Sequence, residues 1–383
     1  MLASLIRFSL SQRLFILLAT LLVAALGWMA FRGLPIDAFP DVSSTQVKVI
    51  MKAPGMTPEE VESRIAVPIE VEMLGIPHSK ILRSVTKYGL VDVTIDFEDG
   101  TDISWARKQV NARLAGLGEG LPPGITGGMA PVTTPLGEMF MFTVEGEGLS
   151  LTERRSLLDW VIRPALRTVS GVAEVNALGG AVRVFEVVPD PLKLAASGVT
   201  LGQLKETIQA NNRNDGAGRL GEGEEVLLVR SEGSVTTLED LRSIVVARKA
   251  GVPVPLGALA EVRIGTMTRY GAVTRSGQGE AVQGLVLGLR GANAQQVVEG
   301  VRQKIAELQP SLPPGVRIDT FYDRAALVTQ AVGTVSSALI EATLLVVVLL
   351  VLFLGDLRAA LTVALVLPLA ALITFILMRN FGM

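Results

Sequence analysis

Two long stretches without a charged residue constrain this chain more than anything else in it. Residues 14–31 (LFILLATLLVAALGWMAF) and 359–378 contain no Asp, Glu, Lys or Arg, although 19% of the 383 residues are charged. Runs of this length approach the roughly 20 residues a helix needs to cross the hydrocarbon core of a bilayer. Arg7 and Arg13 precede the first run as the n-region of a secretory signal would. However, the run outlasts the roughly 7–15 residues of a signal core, and Arg32-Gly33-Leu34-Pro35 offers no small-x-small cleavage site. It reads as an uncleaved anchor over 14–33. A third apolar segment, 342–354, reaches spanning length only with preceding turns that include Glu341, which gives a span over 333–354. Gly355-Asp356-Leu357-Arg358 joins it to 359–378 and predicts a helical hairpin. Arg7, Arg13 and Arg358 all fall on the cytoplasmic side by the positive-inside rule. Residues 1–13 are then cytoplasmic, and the large middle region lies on the other side of the membrane.

Charge and composition exclude several functions. Lys plus Arg number 35 and Asp plus Glu 37, a net charge of −2. That balance lacks the concentrated positive charge of a nucleic-acid binder. There is no cysteine, which removes disulfides, thiolate metal sites, cysteine nucleophiles and iron–sulfur ligation. The single histidine, His78, removes any multi-histidine metal motif on this chain and reads as a loop residue. Gly216-Ala217-Gly218-Arg219-Leu220-Gly221 formally matches GxGxxG. Its flanks are turn formers and acids, not the strand and helix N-terminus that a dinucleotide needs. With no Walker sequence, nucleophile elbow or catalytic histidine arrangement, nothing here reads as an enzyme, and no cofactor is implied.

The middle region has an α+β pattern. Residues 46–51 alternate as a strand, and Thr57-Pro58-Glu59-Glu60 then opens a helix as a capping box with Pro at N1. Residues 90–97 alternate again, with Leu90 off-phase, and 102–114 read as a second helix. A comparable order returns as strand 139–144, helix 152–168, strands 172–177 and 282–289, and helix 294–308. Leu121-Pro122-Pro123-Gly124 closes the first passage and Leu312-Pro313-Pro314-Gly315 the second. Equivalent positions in two βαββαβ passages point to a duplication. The second copy is interrupted by residues 181–265, an insertion with its own strands and helices and a polar, glycine-rich hairpin over 211–225.

Three groups of residues invite a functional reading. Alternation puts the thioethers of Met139 and Met141 on one face of a strand, where they would suit Cu(I) or Ag(I). The competing reading is a buried sheet face that methionine fills. Glu138 and Glu174 start two parallel strands at the same end of a sheet and could take a divalent cation. With one strand between them they stand roughly 10 Å apart, which also fits two solvated strand-end charges. Glu341 is an intramembrane acid, able to carry a proton or simply to be solvated at the boundary.

The order of these parts resembles the amino-terminal portion of a resistance-nodulation-division (RND) efflux pump. Local sequence carries the resemblance further, to the heavy-metal branch of cobalt–zinc–cadmium and copper–silver systems. The residues concerned are Leu34-Pro35-Ile36-Asp37-Ala38-Phe39-Pro40-Asp41-Val42, Ala53-Pro54-Gly55, Phe97-Glu98-Asp99-Gly100-Thr101-Asp102, Tyr322-Asp323-Arg324 and Phe353-Leu354-Gly355-Asp356-Leu357-Arg358. The resemblance implies an α+β membrane protein in which transmembrane helices carry duplicated ferredoxin-like βαββαβ periplasmic porter subdomains with an inserted docking subdomain. The first porter subdomain would occupy 37–131 and the second 132–180 and 266–326, with the docking subdomain at 181–265. The hairpin residues Asn211, Asp215, Gly216, Gly218 and Gly221 would reach into a neighbouring protomer. A homotrimer in the lipid of a bacterial inner membrane is implied, coupled to a periplasmic adaptor protein and an outer-membrane channel. A metal cation would be the substrate and protons the coupling ion. The chain stops after the third span, short of the span that carries the proton relay in this family. These residues alone are therefore expected not to transport; the alternatives are an RND exporter of organic compounds and a membrane-anchored trimeric assembly or binding module that does not transport. The two acids tilt the expected cargo towards divalent Zn, Co, Cd or Ni rather than Cu or Ag.

Overall fold

In the computed structural model, the residues described are 8–9, 11–34, 43–118, 120–134, 136–222, 225–249, 251–355 and 357–381. Arg7, residues 35–42 of the first motif and Asp356 lie outside them.

The first module is built on residues 46–129. Strand β1 (Gln46–Lys52) turns Val47, Val49 and Met51 inward on alternate positions, as its sequence predicts. Thr57 then starts a helix over 58–73: the Glu60 amide donates to Thr57 Oγ1 (3.4 Å) and the Thr57 amide to Glu60 Oε2 (3.0 Å). Strands β2 (Ser79–Lys87) and β3 (Leu90–Phe97), helix Ile103–Gly116 and strand β4 (Thr126–Met129) follow. The sheet is antiparallel throughout, in the order β2-β3-β1-β4. Its inner face buries Val91, Val93, Ile95 and Phe97 against Ile65, Ile69, Ala106 and Val110 of the two helices. On the opposite face Asp96 is nearly buried, and Arg83 Nη1 holds it at 2.7 Å.

The second module repeats this plan. Strand β5 (Glu138–Gly146), a helix over 151–166 and strand β6 (Val172–Gly179) come first. The insertion then leaves along β7 (Arg183–Pro189) and carries the hairpin β8 (Asp215–Glu222) and β9 (Glu225–Ser231) and the pair β10 (Val245–Lys249) and β11 (Val252–Pro255). It returns along β12 (Ala260–Thr266), which pairs antiparallel with β7. Short β13 (Val273–Thr274), β14 (Glu280–Gly288), helix Ala294–Leu308 and β15 (Val316–Asp323) complete the module. Its strands run β6-β14-β5-β15, the same order as in the first module, with β13 continuing along β14. Phe140, Phe142, Val144, Val282 and Val286 meet Leu158, Ile162, Val297 and Val301 in its core.

Both modules share a feature absent from the sequence expectation. The first helix of each contains a π-helical turn, Glu62–Ala66 and Leu158–Ile162. In each, the residue just before a proline donates five positions back, Val67 to the Glu62 carbonyl and Arg163 to the Leu158 carbonyl. Proline has no N–H and its ring crowds the carbonyl four residues earlier, so the wider turn accommodates Pro68 and Pro164 without breaking the helix.

Within the insertion, Leu194, Leu204, Leu241, Leu256 and Val262 form a third core. The hairpin is displaced from its expected limits of 211–225. Asn211 is the last residue of helix Leu201–Asn211, and the hairpin runs from Asp215 to Ser231, with Glu222 opposite Glu225. The asparagines that read as turn formers instead fasten its base: Asn214 Oδ1 accepts from the amides of Gly233 and Ser234 (both 3.0 Å), and Asn212 Oδ1 from that of Val235 (2.9 Å).

Among the described residues, three helical stretches are long and apolar enough to cross a membrane, the third being Thr362–Phe381. The first is Arg13–Gly33. The second, Arg324–Leu354, starts well ahead of the expected 333 because Ala325 and Val328 are buried at its beginning. The third overlaps the expected span 359–378 and contains one irregularity: helix Leu357–Ala364 gives way at Leu365 to helix Val366–Phe381. Pro368 explains the break, since it offers no N–H to the carbonyl of Ala364. The last helix packs on the first so closely that a Cβ on Gly27 would stand 2.8 Å from the Leu372 carbonyl oxygen.

Candidate functional site

The face of the second sheet turned away from its helices brings most of the singled-out residues near one another. Pairing sets them in rows: Leu178, Gln283, Thr143 and Asp319, then Asn176, Leu285, Met141 and Tyr322, then Glu174, Leu287 and Glu138. A β-bulge decides which side chains reach it. Leu287 pairs with Glu138 and Val286 with Phe140, so Met139 is an extra residue on β5. Met139 therefore joins Phe140 in the core at 4% exposure, against Gly288, while Met141 stays on the open face opposite Leu285. The two thioethers do not share a face, contrary to strict alternation.

Glu138 and Glu174 do stand in one row, both opposite Leu287. Their carboxylates have different surroundings. Glu174 lies on an edge strand and is turned to the helix, where Arg163 Nη2 (3.1 Å) and Arg167 Nε (3.5 Å) meet its Oε1. The Val175 amide donates to the same oxygen at 2.9 Å. Glu138 is exposed at the start of β5. Among the described residues, no group of three or more His, Asp or Glu side chains is placed to hold a metal ion.

Sequence reasoning missed the charged centre of this face. Arg275, at the tip between β13 and β14, reaches across it. Its Nη1 donates to Thr143 Oγ1 (2.8 Å) and Glu145 Oε1 (2.7 Å), and its Nη2 pairs with Asp319. Arg154 adds a second cation 3.9 Å from Glu145. Burial works against the charge of Glu145, but hydrogen bonds from Arg275 and Thr143 and the charges of both arginines prevail, holding its carboxyl below the ordinary range. The hydrogen bond to Asp319, then that to Glu145, pushes the Arg275 guanidinium higher still. Arg275 lies 130 residues from Glu145 and 44 from Asp319, so no local pattern announces the cluster.

The remaining candidates lie elsewhere. Glu341 is exposed on the second apolar helix, in line with Gln330, Thr334 and Ser337 at helical spacing. Gly216, Gly218 and Gly221 lie inside β8, paired with β9, and not at a strand-to-helix turn. His78 is a turn residue with a left-handed φ of 62°, its Nδ1 3.0 Å from Glu98 Oε2. The Tyr322-Asp323-Arg324 motif joins the second module to the second apolar helix. Tyr322 sits in β15, Asp323 caps the helix by accepting from the Ala326 amide (3.1 Å) and pairs with Arg302, and buried Arg324 binds the Leu136 carbonyl. Arg290 ties the two modules together through the Ser43 carbonyl (2.9 Å) and Thr45 Oγ1 (3.3 Å).

Comparison with known proteins adds the following. Residues 5–383 match the family described as the AcrB/AcrD/AcrF family. Protein HelA of Legionella pneumophila is 43% identical over 381 residues, covering 98% of this chain and 36% of that protein. The cobalt-zinc-cadmium resistance protein CzcA of Cupriavidus metallidurans is 42% identical, again over 98% of this chain and 36% of its own length. The cation efflux system protein CusA of Escherichia coli is 36% identical over 99% of this chain. A crystal structure of a heavy metal efflux pump superposes with a TM-score of 0.90 at 34% identity, covering 98% of this chain and 38% of that one. The chain thus spans a little over a third of the length of these relatives.

Proposed function

Since the chain belongs to the AcrB/AcrD/AcrF family of RND transporters, among heavy-metal efflux relatives, we propose that it is the amino-terminal part of a proton-driven exporter of heavy-metal cations. The observation that carries this reading is the match of nearly the whole chain to metal-efflux relatives, at 42% identity to the cobalt-zinc-cadmium protein. The open face of the second sheet supports it. Glu145, Asp319, Arg275, Thr143 and Glu138 put charge on that face beside Leu285, Leu287 and Met141, whereas an exporter of organic compounds needs an apolar, aromatic-lined pocket.

In this reading the three apolar helices cross the inner membrane, and the two ferredoxin-like modules stand in the periplasm as porter subdomains of a homotrimer. The insertion docks protomers through the hairpin Asp215–Ser231 and, with the modules, meets an adaptor protein and an outer-membrane channel. Glu138 and Met141 face the cargo path. Glu341 takes part in the proton path together with acids supplied by other parts of the pump. The cargo is a divalent ion of the Zn, Co, Cd or Ni class. The 383 residues do not transport by themselves, because a proton-coupled cycle needs an acid that exchanges protons between two states of the membrane domain.

The test is metal tolerance in a bacterial strain stripped of its own exporters. The complete pump, from the gene that encodes this chain, should restore growth in zinc, cobalt or cadmium and give no protection from dyes or antibiotics. The 383-residue chain alone should restore nothing. Protection from copper or silver alone would refute the divalent assignment. Protection from organic compounds alone would refute the metal reading.

A further inference from the structure

A groove of about 550 Å³ opens where the first apolar helix leaves the membrane level and the second enters it. It joins Phe31, Val328 and Val332 to Arg32, Asn293 and Gln296, so one part is apolar and the other polar. Helix Arg13–Gly33 is about 31 Å long at 1.5 Å per residue, which matches the bilayer core and sets Arg32, in its last turn, at the boundary. Trp28 lies one turn below, with the Arg32 guanidinium carbon 5.2 Å from its ring centroid, a residue type and position typical of the membrane interface.

Among the described residues, the charge here has no acidic counterpart. No carboxylate lines the groove, and Arg32 forms no ion pair among the described residues. Arg379, at the end of the last helix, forms none either, and its Nη1 lies 3.9 Å from where a Cβ on Gly33 would be. Two unpaired arginines at this end of the spans run against the usual distribution, which concentrates positive charge on the opposite, cytoplasmic side. A metal cation is repelled by such a site, whereas a phosphate is bound by it. A soluble anion would leave the apolar half of the groove empty.

We infer that the groove holds an anionic phospholipid, its headgroup phosphate on Arg32 with Asn293 and Gln296, and an acyl chain along Phe31, Val328 and Val332. The inference rests on the membrane-spanning part of the proposed function and is independent of metal transport. Gly333 supplies a second handle: it lines the groove, and a Cβ there would meet nothing within 4 Å. A larger side chain at 333 fills lipid space without crowding the protein.

Native mass spectrometry of the full chain, released from micelles doped with phosphatidylglycerol and phosphatidylethanolamine, tests it. One phosphatidylglycerol should be retained per chain in preference to phosphatidylethanolamine. Arg32→Ala should weaken that retention about fivefold, the usual effect of one basic residue at a membrane surface, and Arg32→Lys should keep most of it. Gly333→Leu should reduce retention of both lipids. Equal retention of the two lipids by the unmodified chain, or no loss in Arg32→Ala and Gly333→Leu, overturns the inference. So does displacement of phosphatidylglycerol by inorganic phosphate alone, which would mark a bare anion site. Alkaline carbonate extraction of membranes carrying the chain separates the two readings. A chain released by carbonate defeats the spanning reading itself, and one that resists carbonate but shows no lipid preference defeats only the lipid site.

Discussion

The two modules follow one plan, with the same strand order and the same π-turn before a proline, yet they meet their close approaches differently. In the first, backbone approaches backbone: a Cβ on Gly127, at φ +137°, would lie 2.2 Å from the Ile50 carbonyl oxygen, so β4 can lie against β1 only without a side chain there. The second has such an approach too, at Gly179, where a Cβ would lie 2.4 Å from the Ala281 carbonyl oxygen, but there glycine also makes room for side chains inside the sheet. The Phe142 ring occupies the space above Gly284, and Met139 that above Gly288. The second module also emits the insertion and the second apolar helix, and it alone carries the Arg275 clasp across its open face. The copy joined to the insertion and to the second apolar helix thus adds aromatic packing on glycine inside its sheet and an ionic bridge outside it.

Four substitutions break or sharpen this contrast. Phe142→Ala should have the largest effect, a loss of about 4 kcal/mol confined to the second module. Hydrogen exchange should then accelerate in β5 and β14 and not in β1–β4, and acceleration in both would mean that the modules share one cooperative core. Gly127→Ala should cost roughly 3 kcal/mol in the first module, from the left-handed backbone and the carbonyl clash together. Its mirror result, exchange rising only in β1 and β4, is read in the same experiment.

Arg275→Met should cost less than either, since the clasp is partly solvated. The sharper readout is pH. The carboxyl of Glu145 titrates below its ordinary 4.5, so the clasp stabilises the fold above that pH and is lost as pH falls through the lower folded value. Acid melting curves of the variant should lack this step, and an unchanged step would assign it to another carboxylate. Pro164→Ala should have the smallest effect, under about 1 kcal/mol. It should nevertheless shift amide protection at Arg163 and leave Val67 in the other module untouched. Equal changes in both would show that the turns are set by packing rather than by their prolines.

Much of the architecture was legible because it is written locally. The capping box at Thr57, the alternation of β1 and β3, helix 294–308 and the apolar runs each depend on neighbours a few residues away. The break at Leu365 was legible too, in Pro368, but a twenty-residue uncharged run outweighed one proline. The candidate site was less accessible. The bulge that buries Met139 is set by the register of β14, more than 140 residues further along the chain. The capture of Glu174 by Arg163 and Arg167 depends on how a helix lies over an edge strand. The Arg275 clasp unites three separate stretches, and neither hydropathy nor motif spacing carries that information.

The π-turns leave one trace that a sequence does carry. Besides Ala66, the fully buried positions around them are Val61, Ile65, Ile69 and Met73 in one module and Leu158, Ile162 and Leu166 in the other, rows that step by four. In an unbroken α-helix each such step drifts about 40° around the axis, and three would carry the row off the core. The wide turn absorbs that drift and keeps the row on one side. An apolar row stepping strictly by four and interrupted by a proline is therefore a periodicity of its own, neither the 3.6 of an α-helix nor the 3.5 of a coiled coil.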